Sequence, residues 1–549
     1  MRVLAFNTTH DSSVCCVDNG KIEFFCKEER LTRIKRDNNP FKSLQLFESQ
    51  NTKKIDHILF CTPSNREGDV QYIYSEYIRK LFNMEMENFS SLTHHLCHAS
   101  SAFYNSGFDE ALSFVIDRNG SIIFKGNVDQ CREAESVFIC NYPDTIKPIY
   151  KSFWTNNLIG VDKNNLKKHL ENIYVDVDIN IDNEYSITKV YEAATTLIGQ
   201  NILENGKTMG LSSYGLNKKY EPLFFNGNPI TNYFNHSYSD NENIVTFNGL
   251  EEHITKDITK ENYQLYADKA KHVQIETQKE SLKLIKKYVE KTKIRNVCVS
   301  GGYGLNVVAN NFYKKNLPDV NFYFEPLSDD TGISIGAAYL KYRNVTKDNK
   351  INKPKDNFYH YYKDSKMDKG SKASIKDVCN LLNQQKSVAI FEGSAEAGPR
   401  ALGHRSILFD ARNKDCKNLV NRIKNREWYR PFAGVILKEH FKKYFDTLGL
   451  DESKDMTINF ECDKETLKLV PGIVHIDGTC RIQTVESGFL YDLLVEFNKL
   501  TKCPMLLNTS LNLAGEPLVN TKEEACVLLN KSKLDAIYFV DDKKILYKK

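Results

Sequence analysis

The sequence His-His-Leu-Cys-His at residues 94–98 points most directly to chemistry in this chain. On a helix, His94 and His98 lie four residues apart and project from one face, so their two imidazoles can share one metal ion. Two histidines seldom complete a metal site. The acids that could join them are Asp117, which ends an apolar run, and either Asp329 or Asp330. The alternative is a polar helix start with incidental histidines, and the local pattern by itself favours that alternative.

The elements that would position these residues form a pattern that occurs twice. Residues 3–6 and 12–17 read as strands, and Asp-Asn-Gly at 18–20 is a tight turn before a strand at 21–25. After the histidines, a strand at 111–116 is followed by a polar turn and a strand at 121–125. The repetition indicates an internal duplication, which is how actin-like phosphate-handling enzymes are built.

Three further segments could bind anions. Residues 28–36 carry four cations within seven residues, although a solvated charged loop is the favoured interpretation. Residues 206–215 place glycines at three turns around Lys207, which suits backbone approach to a ligand, but the spacing is not that of a Walker A loop. Gly301 and Gly302 follow a strand and precede a helix, where phosphate can be received. A plain strand–helix turn is equally compatible with the two glycines.

The composition shifts to Lys, Asp, Asn and Tyr between residues 343 and 372, which predicts a domain boundary. Beyond it, Ser374 is a helix N-cap candidate and residues 387–391 read as a strand. Four loops at 397–406, 425–432, 475–481 and 507–517 then combine turn-forming residues with arginine or with clustered hydroxyl and amide groups. Since arginine binds phosphate and carboxylate oxygens in a bidentate manner, several such loops indicate a polyanion site.

Composition excludes several classes of protein. A chain of 549 residues is too long for one core, and 41% hydrophobic and 11% aromatic residues are typical of a globular enzyme. The net charge of +4 provides no argument for a polyelectrolyte partner. The 14 cysteines include no Cys-x-x-Cys pair, so a zinc ribbon is not indicated. We find no signal peptide and no membrane-spanning run, and we expect a soluble cytoplasmic protein. Residues 140–190 look irregular, and residues 220–262 look like an excursion from the core.

Taken together, the motifs resemble one family along nearly the whole chain. The chain is similar to the O-carbamoyltransferases of the nodulation-protein-U and cephem-carbamoyltransferase family. The motifs that carry the resemblance, in chain order, are Asn7–Ser13, Glu28–Lys35, His94–Ala99, Lys207–Leu211, Ser300–Asn306, Gly398–Gly403, Arg426–Phe432, Asp477–Arg481 and Asn508–Asn512.

The resemblance implies an α/β enzyme with an actin-like (ASKHA) duplicated N-terminal domain and a YrdC-like α/β C-terminal domain. We expect the first domain at 1–345, a linker at 346–372 and the second domain at 373–549. The second domain would form carbamoyladenylate from carbamoyl phosphate and ATP, with Mg²⁺ accompanying the ATP. The first domain would transfer the carbamoyl group to an acceptor hydroxyl, and AMP would leave.

The resemblance also assigns residues. His94, His98, Asp117 and Asp330 match metal ligands, with Fe(II) as the implied metal, although these ligand types also accept zinc or manganese. His10 matches the base that takes the proton of the acceptor hydroxyl, a role suited to imidazole. The expected nucleotide and carbamoyl phosphate contacts are Lys35, Lys207, Gly301, Gly302, Asn306, Arg400, Arg430, Arg481, Asn508 and Ser510. The chain has Ala514 where the family often has Arg or Lys, which puts one phosphate contact in doubt.

The acceptor is not indicated by the sequence. A small molecule, a sugar or a nucleotide is the first hypothesis. The alternative is a macromolecular acceptor, such as a hydroxymethyl pyrimidine in nucleic acid. A protein thiol, as in hydrogenase maturation, is disfavoured because the additional domains of those enzymes have no counterpart here. A non-enzymatic nucleotide-binding regulator on an actin-like scaffold is a third hypothesis, against which the arginine-rich second domain argues.

Overall fold

A computed structural model of the chain describes residues 1–61, 69–88, 93–125, 130–155, 163–183, 186–225, 258–351, 359–361 and 366–548, with short strands between 228 and 251. The chain divides into two compact units. The first comprises residues 1–9, 13–23 and 45–354, and the second comprises residues 10–12, 24–44 and 355–549. The linker predicted at 346–372 does not account for residues 10–12 and 24–44. Cys26 and Arg30, for example, contact residues more than 300 positions further along the chain.

The first sheet has the strand order β3-β2-β1-β4-β5. Strand β1 pairs antiparallel with β2 and parallel with β4, and β4 pairs parallel with β5. The central strands are almost entirely apolar and buried, as expected for strands covered on both faces. The strands are β1 (Arg2–Asn7), β2 (Ser13–Asp18), β3 (Lys21–Lys27), β4 (His57–Cys61) and β5 (Glu87–Asn88), and the helices beside them in sequence are α1 (Glu28–Thr32), α2 (Phe41–Gln50) and α3 (Asp69–Phe82).

The second sheet repeats this order. Its path is β10-β9-β8-β6-β16-β17, in which β6 pairs antiparallel with β8 and parallel with β16. The order β9-β8-β6-β16-β17 therefore corresponds to β3-β2-β1-β4-β5, which is the internal repeat expected from the sequence. The strands are β6 (Glu110–Ile116), β7 (Ile122–Lys125), β8 (Gln130–Asn141), β9 (Thr145–Thr155), β10 (Asp178–Asn183), β16 (Asn296–Ser300) and β17 (Asn321–Phe324).

Two details of the predicted repeat were wrong. The strand next to β6 is β8 rather than the predicted strand at 121–125, which forms the short β7 and pairs with β8. Residues 140–190, expected to be irregular, contain β9, β10 and the helices α5 (Lys163–Ile173) and α6 (Ile187–Leu197). Their apolar periodicity is diluted by Asn and Lys on exposed faces, so the pattern is weak in the sequence although the packing is regular.

The described part of the first unit also contains five further helices. The helices are α4 (His94–Ser106), α7 (Asn205–Ser212), α8 (Tyr263–Thr292), α9 (Val307–Asn316) and α10 (Ile333–Thr346). The predicted excursion at 220–262 lies largely outside the described residues, which there include the short strands β11 (Phe224–Phe225), β12 (Asn228–Pro229), β13 (Asn235–His236), β14 (Val245–Phe247) and β15 (Leu250–Glu251).

A glycine allows α4 and α10 to cross closely. A Cβ on Gly336 would lie 1.8 Å from the carbonyl oxygen of Cys97, so only glycine fits at this crossing. Helix α10 also packs on β1 and β2, and α4 packs on β6 and β16. The small residues of α10 therefore allow it to pack against α4 as well as against the first sheet. This crossing fixes the start of α4 relative to the turn that precedes α10.

The second unit is built on one mixed sheet of ten strands, in the order β18-β27-β26-β19-β20-β25-β21-β24-β23-β22. Its helix α11 begins at the predicted N-cap Ser374, which forms a capping box with Asp377. The strands are β18 (Ser371–Lys372), β19 (Val388–Phe391), β20 (Arg405–Phe409), β21 (Ala433–Leu437), β22 (Phe445–Asp446), β23 (Asn459–Cys462), β24 (Thr479–Val485), β25 (Met505–Ser510), β26 (Ala536–Phe539) and β27 (Lys544–Tyr547). The helices are α11 (Ile375–Asn383), α12 (Cys416–Lys424), α13 (Phe441–Tyr444), α14 (Lys464–Leu469), α15 (Gly488–Thr501) and α16 (Lys522–Lys531).

Both units are therefore α/β, with mixed sheets. Within the described ranges, no helix combines the length and the apolar character that crossing a bilayer requires.

Candidate functional site

Four side chains of the first unit meet at one buried point. The Nε2 atom of His94 lies 3.1 Å from Oδ2 of Asp117 and 3.1 Å from Nε2 of His98. Oδ1 of Asp330 lies 3.3 Å from Nε2 of His94 and 3.5 Å from Nε2 of His98. One donor atom from each of the four residues falls within 4.8 Å of every other, and all four residues are buried. We refer to this group as the His–Asp cluster.

Three separate elements supply the His–Asp cluster. Helix α4 begins at His94 because Thr93 caps it, accepting a hydrogen bond from the backbone N–H of Leu96. Asp117 directly follows β6, and Asp330 opens the 3-10 turn that leads into α10. The neighbouring Asp329 instead caps this turn through the N–H of Thr331. The structure thus brings Asp330 into the cluster and gives Asp329 a structural role.

The electrostatics of the cluster favour a bound cation. Burial lowers the pKa of His94, but the carboxylates of Asp330 and Asp117 raise it by more than burial lowers it. The net result is a pKa of about 10. Burial raises the pKa of Asp117, but His94 lowers it more, so that it lies well below its ordinary value. Two buried carboxylates facing two imidazoles need positive charge between them, supplied by a proton or by a metal ion. Two nitrogen and two oxygen donors of this kind fit a divalent transition metal.

The middle histidine of the motif does not join the cluster. The Nδ1 atom of His95 lies 2.8 Å from Oγ of Ser136, and burial lowers the pKa of His95 to about 3. A Cβ on Gly120 would lie 2.6 Å from Nε2 of His95, so the ring is packed against the turn after β6. His95 is therefore a neutral core residue.

The glycine pair after β16 borders the cluster. The N–H of Gly302 donates to Oδ1 of Asp117 at 2.9 Å. Gly301 has a φ of +82°, and a Cβ there would lie 2.5 Å from the carbonyl oxygen of Ile116. Asn306 caps α9 through the N–H of Ala309 and pairs with Gln274. These contacts account for the three predicted residues structurally, and their contact with a nucleotide remains a prediction.

The segment around Lys207, predicted to be a loop, is helical, and the contact of Lys207 with a ligand stays a prediction. Residues Asn205–Ser212 form the helix α7, which packs on α8, and the Lys207 ammonium pairs with Glu204 at 2.9 Å. A Cβ on Gly206 would meet nothing within 4 Å, so this glycine is not required by close approach. Tertiary packing against α8 outweighs the low helix propensity of glycine here.

His10 lies in the turn between β1 and β2. Its Nδ1 atom lies 2.8 Å from Oδ2 of Asp11, and the other oxygen of Asp11 lies 2.6 Å from the Lys27 ammonium. The imidazole is 39% exposed, whereas the side chains of Asp11 and Lys27 are 10% and 6% exposed. An accessible imidazole is thus backed by a buried ion pair.

The expectation of a solvated charged loop at residues 28–36 is wrong for its central part. Arg30 is buried and donates to the carbonyl oxygens of Glu396 and Gly398, both at 3.3 Å. Arg33 donates to the carbonyl oxygens of Leu518 and Pro517 at 2.6 and 3.0 Å. The segment therefore joins two loops of the second unit, and its charges act inside that unit.

Basic side chains of the second unit converge in a second group. Lys424 is only 3% exposed, and burial together with Arg426, Arg430 and Lys35 places its pKa well below the ordinary value. Burial and the neighbouring cations likewise lower the pKa of Arg481 and of Arg426. Both arginines are half-buried, so solvent still reaches them. The members of this cation cluster are Lys35, Arg400, Lys424, Arg426, Arg430 and Arg481.

The predicted loop at 507–517 lies beside Lys424. The Lys424 ammonium donates to Oγ of Ser510 at 3.1 Å and to Oδ1 of Asn512 at 2.9 Å. Asn508 donates to Oε1 of Gln483 at 2.9 Å. Among the described residues, Oδ1 of Asn508 and Nε of Arg481 are buried atoms without a hydrogen-bond partner. Such atoms are costly unless a ligand completes them. The backbone N–H of Ala514 donates to the carbonyl oxygen of Lys424.

The sequence did not indicate Lys424, Arg426 or Asn512 as site residues. Arg426 and Asn512 stand inside the quoted motifs, but Lys424 ends α12 among other polar residues and had no signal of its own. Conversely, not every arginine of these loops faces an anion. Arg405 is fully buried and donates to four backbone carbonyl oxygens, which is a structural role.

Comparisons with known proteins place this geometry in context. A family model described as "Carbamoyltransferase N-terminus" matches residues 67–339, and one described as "Carbamoyltransferase C-terminus" matches residues 379–546. An uncharacterised protein of Synechocystis is 26% identical over 96% of this chain and 93% of its own length. Nodulation protein NolNO of Sinorhizobium fredii is 24% identical over 96% of this chain and 78% of its own.

Other matches are partial. Nodulation protein U of Azorhizobium caulinodans is 33% identical over 42% of each chain. Among solved structures, full-length HypF in the phosphate- and nucleotide-bound form gives a TM-score of 0.38 at 14% identity. That match covers 63% of this chain and 56% of HypF.

Proposed function

Because the chain belongs to the carbamoyltransferase family, we propose that it is an O-carbamoyltransferase that makes its own activated carbamoyl donor. The C-terminal domain predicted at 373–549 forms carbamoyladenylate from carbamoyl phosphate and ATP. The N-terminal domain predicted at 1–345, which includes His10, transfers the carbamoyl group to a hydroxyl. We further propose that the first unit is actin-like and the second YrdC-like. The repeated strand order of the two sheets in the first unit supports the actin-like assignment.

The cation cluster is the observation that carries this proposal. Six basic side chains approach one another, and one acid beside them, Glu427, lies 3.4 Å from Arg430. Protonated arginines held together in a half-buried recess repel one another unless anions lie between them. The substrates ATP and carbamoyl phosphate supply such anions. The products pyrophosphate and phosphate would be released from the same cation cluster.

Two of the buried atoms without a hydrogen-bond partner in this unit fit the rest of the substrate. Oδ1 of Asn508 is an acceptor, and it would take a hydrogen bond from the NH₂ group of the carbamoyl moiety. Nε of Arg481 is a donor suited to a phosphate oxygen. Ser510 is held by Lys424, so we assign it to the shape of the recess beside Asn508. Lys35 and Arg400 complete the positive charge around the phosphates.

In the transfer step, the acceptor oxygen attacks the carbamoyl carbon, the bond to the AMP phosphate breaks, and His10 takes the hydroxyl proton. His94, His98, Asp117 and Asp330 would hold a divalent metal, with Fe(II) the first choice. When bound, such a metal would polarise the carbamoyl group as a Lewis acid. Gly301 and Gly302 offer backbone N–H groups next to Asp117, where the nucleotide would lie.

Separate measurement of the two half-reactions tests the proposal. The full-length protein with ATP, Mg²⁺ and carbamoyl phosphate should release pyrophosphate, and a screen of hydroxyl acceptors should yield a product heavier by one carbamoyl group, detected by mass spectrometry, together with AMP. Arg481→Met should slow pyrophosphate release by about 100-fold, whereas Arg422→Met, on the exposed face of α12, should not. Absence of both pyrophosphate and carbamoylated product from the unmodified protein would exclude the proposal.

A further inference from the structure

Asp11 and Lys27 form a buried ion pair next to His10, the residue assigned above as the base of the transfer step. The carboxylate of Asp11 contacts His10 with one oxygen, at 2.8 Å, and Lys27 with the other, at 2.6 Å. Burial raises the pKa of Asp11, but Lys27 and His10 lower it more, so the carboxylate is ionised at neutral pH. At 2.8 Å, an unprotonated Nδ1 of His10 would place its lone pair beside the ionised carboxylate of Asp11. This ion-pair contact lacks the angle of a regular hydrogen bond, but it still requires a proton on Nδ1.

We propose that Asp11 is a positioning residue that holds His10 in the tautomer with the proton on Nδ1, leaving Nε2 as the base of carbamoyl transfer. This inference rests on the proposed function of the chain. In the step, the acceptor oxygen forms its bond to the carbamoyl carbon, the carbon–oxygen bond to AMP breaks, and the hydroxyl proton passes to Nε2. The imidazolium that results lies beside the Asp11 carboxylate, which stabilises it.

Lys27 has a separate task in this arrangement. A carboxylate that is 10% exposed is costly without a cation, and without Lys27 the imidazole itself would have to supply that charge. A histidine held as the permanent cation of Asp11 could not accept a proton. Lys27 neutralises Asp11 from the side opposite His10. Glu29, which lies 3.5 Å from Lys27, is in turn paired with Arg30, so the chain of charges continues into buried protein.

The resting tautomer can be measured in the unmodified full-length protein without any substrate. Labelling the 13 histidines with ¹⁵N and removing one set of signals with His10→Gln assigns the two ring nitrogens of His10. We expect the chemical shift of a protonated nitrogen at Nδ1 and of an unprotonated nitrogen at Nε2. The reverse tautomer, or an imidazolium at neutral pH, would overturn the inference even if carbamoyl transfer is observed.

Variants test whether the tautomer matters for transfer. Asp11→Asn keeps the size of the side chain but can donate to Nδ1, and we expect transfer to fall by about 10³-fold, within the range that a general base contributes. Pyrophosphate release by the same preparation should be unchanged, which checks folding. Asp18→Asn, at the end of β2 beside Lys53, is the matched control and should leave both half-reactions intact.

A double variant separates positioning from charge balance. If Asp11 only compensated Lys27, Asp11→Asn combined with Lys27→Met would recover transfer to within about threefold of the unmodified protein. We expect instead that the double variant stays as slow as Asp11→Asn and that its His10 carries the proton on Nε2. Recovery of transfer would refute the positioning role. Absence of transfer in the unmodified protein, with the expected tautomer present, would count against the proposed function instead.

Discussion

The two charged sites of this chain have opposite electrostatic requirements. In the His–Asp cluster, carboxylates raise the pKa of His94, so the site holds on to positive charge. In the cation cluster, burial and neighbouring cations lower the pKa of Lys424. This site therefore favours loss of a proton or binding of anions. The contrast fits one site for a metal and another for phosphates. In both sites, charges of like sign therefore lie close together without full compensation by the surrounding protein.

The largest effect is expected from removing a carboxylate of the His–Asp cluster. Asp330→Asn keeps the size but loses the negative charge that a divalent metal needs, and we expect transfer to fall on the order of 10³-fold. Pyrophosphate release should be retained. Asp329→Asn is the matched control, because an asparagine can still cap the turn. Equal loss of transfer in both variants would remove the distinction between the two acids.

The cation cluster should respond in the first half-reaction. We expect Arg481→Met to slow pyrophosphate release by about 100-fold, the scale at which a positioned donor contributes to charge stabilisation. Because the variant also removes a cation from like-charged neighbours, its melting temperature without ligands should rise. A calorimetric comparison with Arg422→Met checks this. A lower melting temperature for Arg481→Met would show that the cluster is not under repulsion.

The pH dependence of stability provides a third comparison. Since Lys424 has a lower pKa in the folded than in the unfolded protein, the folded protein binds fewer protons, and the free energy of unfolding should rise as pH increases towards about 10.4. Lys424→Met should reduce this slope by up to about 1.4 kcal/mol per pH unit. Denaturant titrations in phosphate-free buffer measure it. Saturating pyrophosphate should flatten the slope of the unmodified protein, and an unchanged slope in Lys424→Met would contradict the assignment.

The smallest effect concerns how the first site is held. Thr93→Ala removes the cap of α4 and should cost about 1 kcal/mol of the free energy of unfolding. Because His94 is the first residue of α4, metal affinity measured by calorimetry should also fall several-fold. Ser374→Ala removes the cap of α11 in the other unit and should cost a similar free energy without changing metal affinity. A loss of affinity in both variants would indicate a global effect.

Some of this arrangement could be predicted from sequence because chemistry-bearing side chains follow strand ends. Asp117 directly follows β6, and Arg481 lies near the start of β24, both next to turn residues. Buried cations on helices are harder to predict. Arg422 and Lys424 are two residues apart on α12, yet the first is exposed and the second is 3% exposed. The sequence pattern of polar residues on a helix does not show which cationic side chain finds hydrogen-bond acceptors in the protein interior.

Long-range partners explain the remaining failures. The partners of Arg30 and Arg33 lie 366 and 485 residues further along the chain, so local composition reads these arginines as solvated. The loop conformation predicted around Lys207 was wrong for a related reason, since this glycine-containing segment is a helix that packs against α8. Whether the His–Asp cluster binds a metal, and which one, stays a prediction, because its donors accept more than one ion.

The membership of residues 24–44 in the second unit has a consequence for biosynthesis. Residues 45–354 of the first unit are translated between this segment and most of its own unit. The guanidinium groups of Arg30 and Arg33 therefore stay exposed to solvent until the loops that accept their hydrogen bonds have been synthesised. A gene divided after residue 354 would place residues 24–44 on one polypeptide and most of their unit on another. The second unit can become complete only within a whole chain, or when residues 24–44 are supplied to it separately.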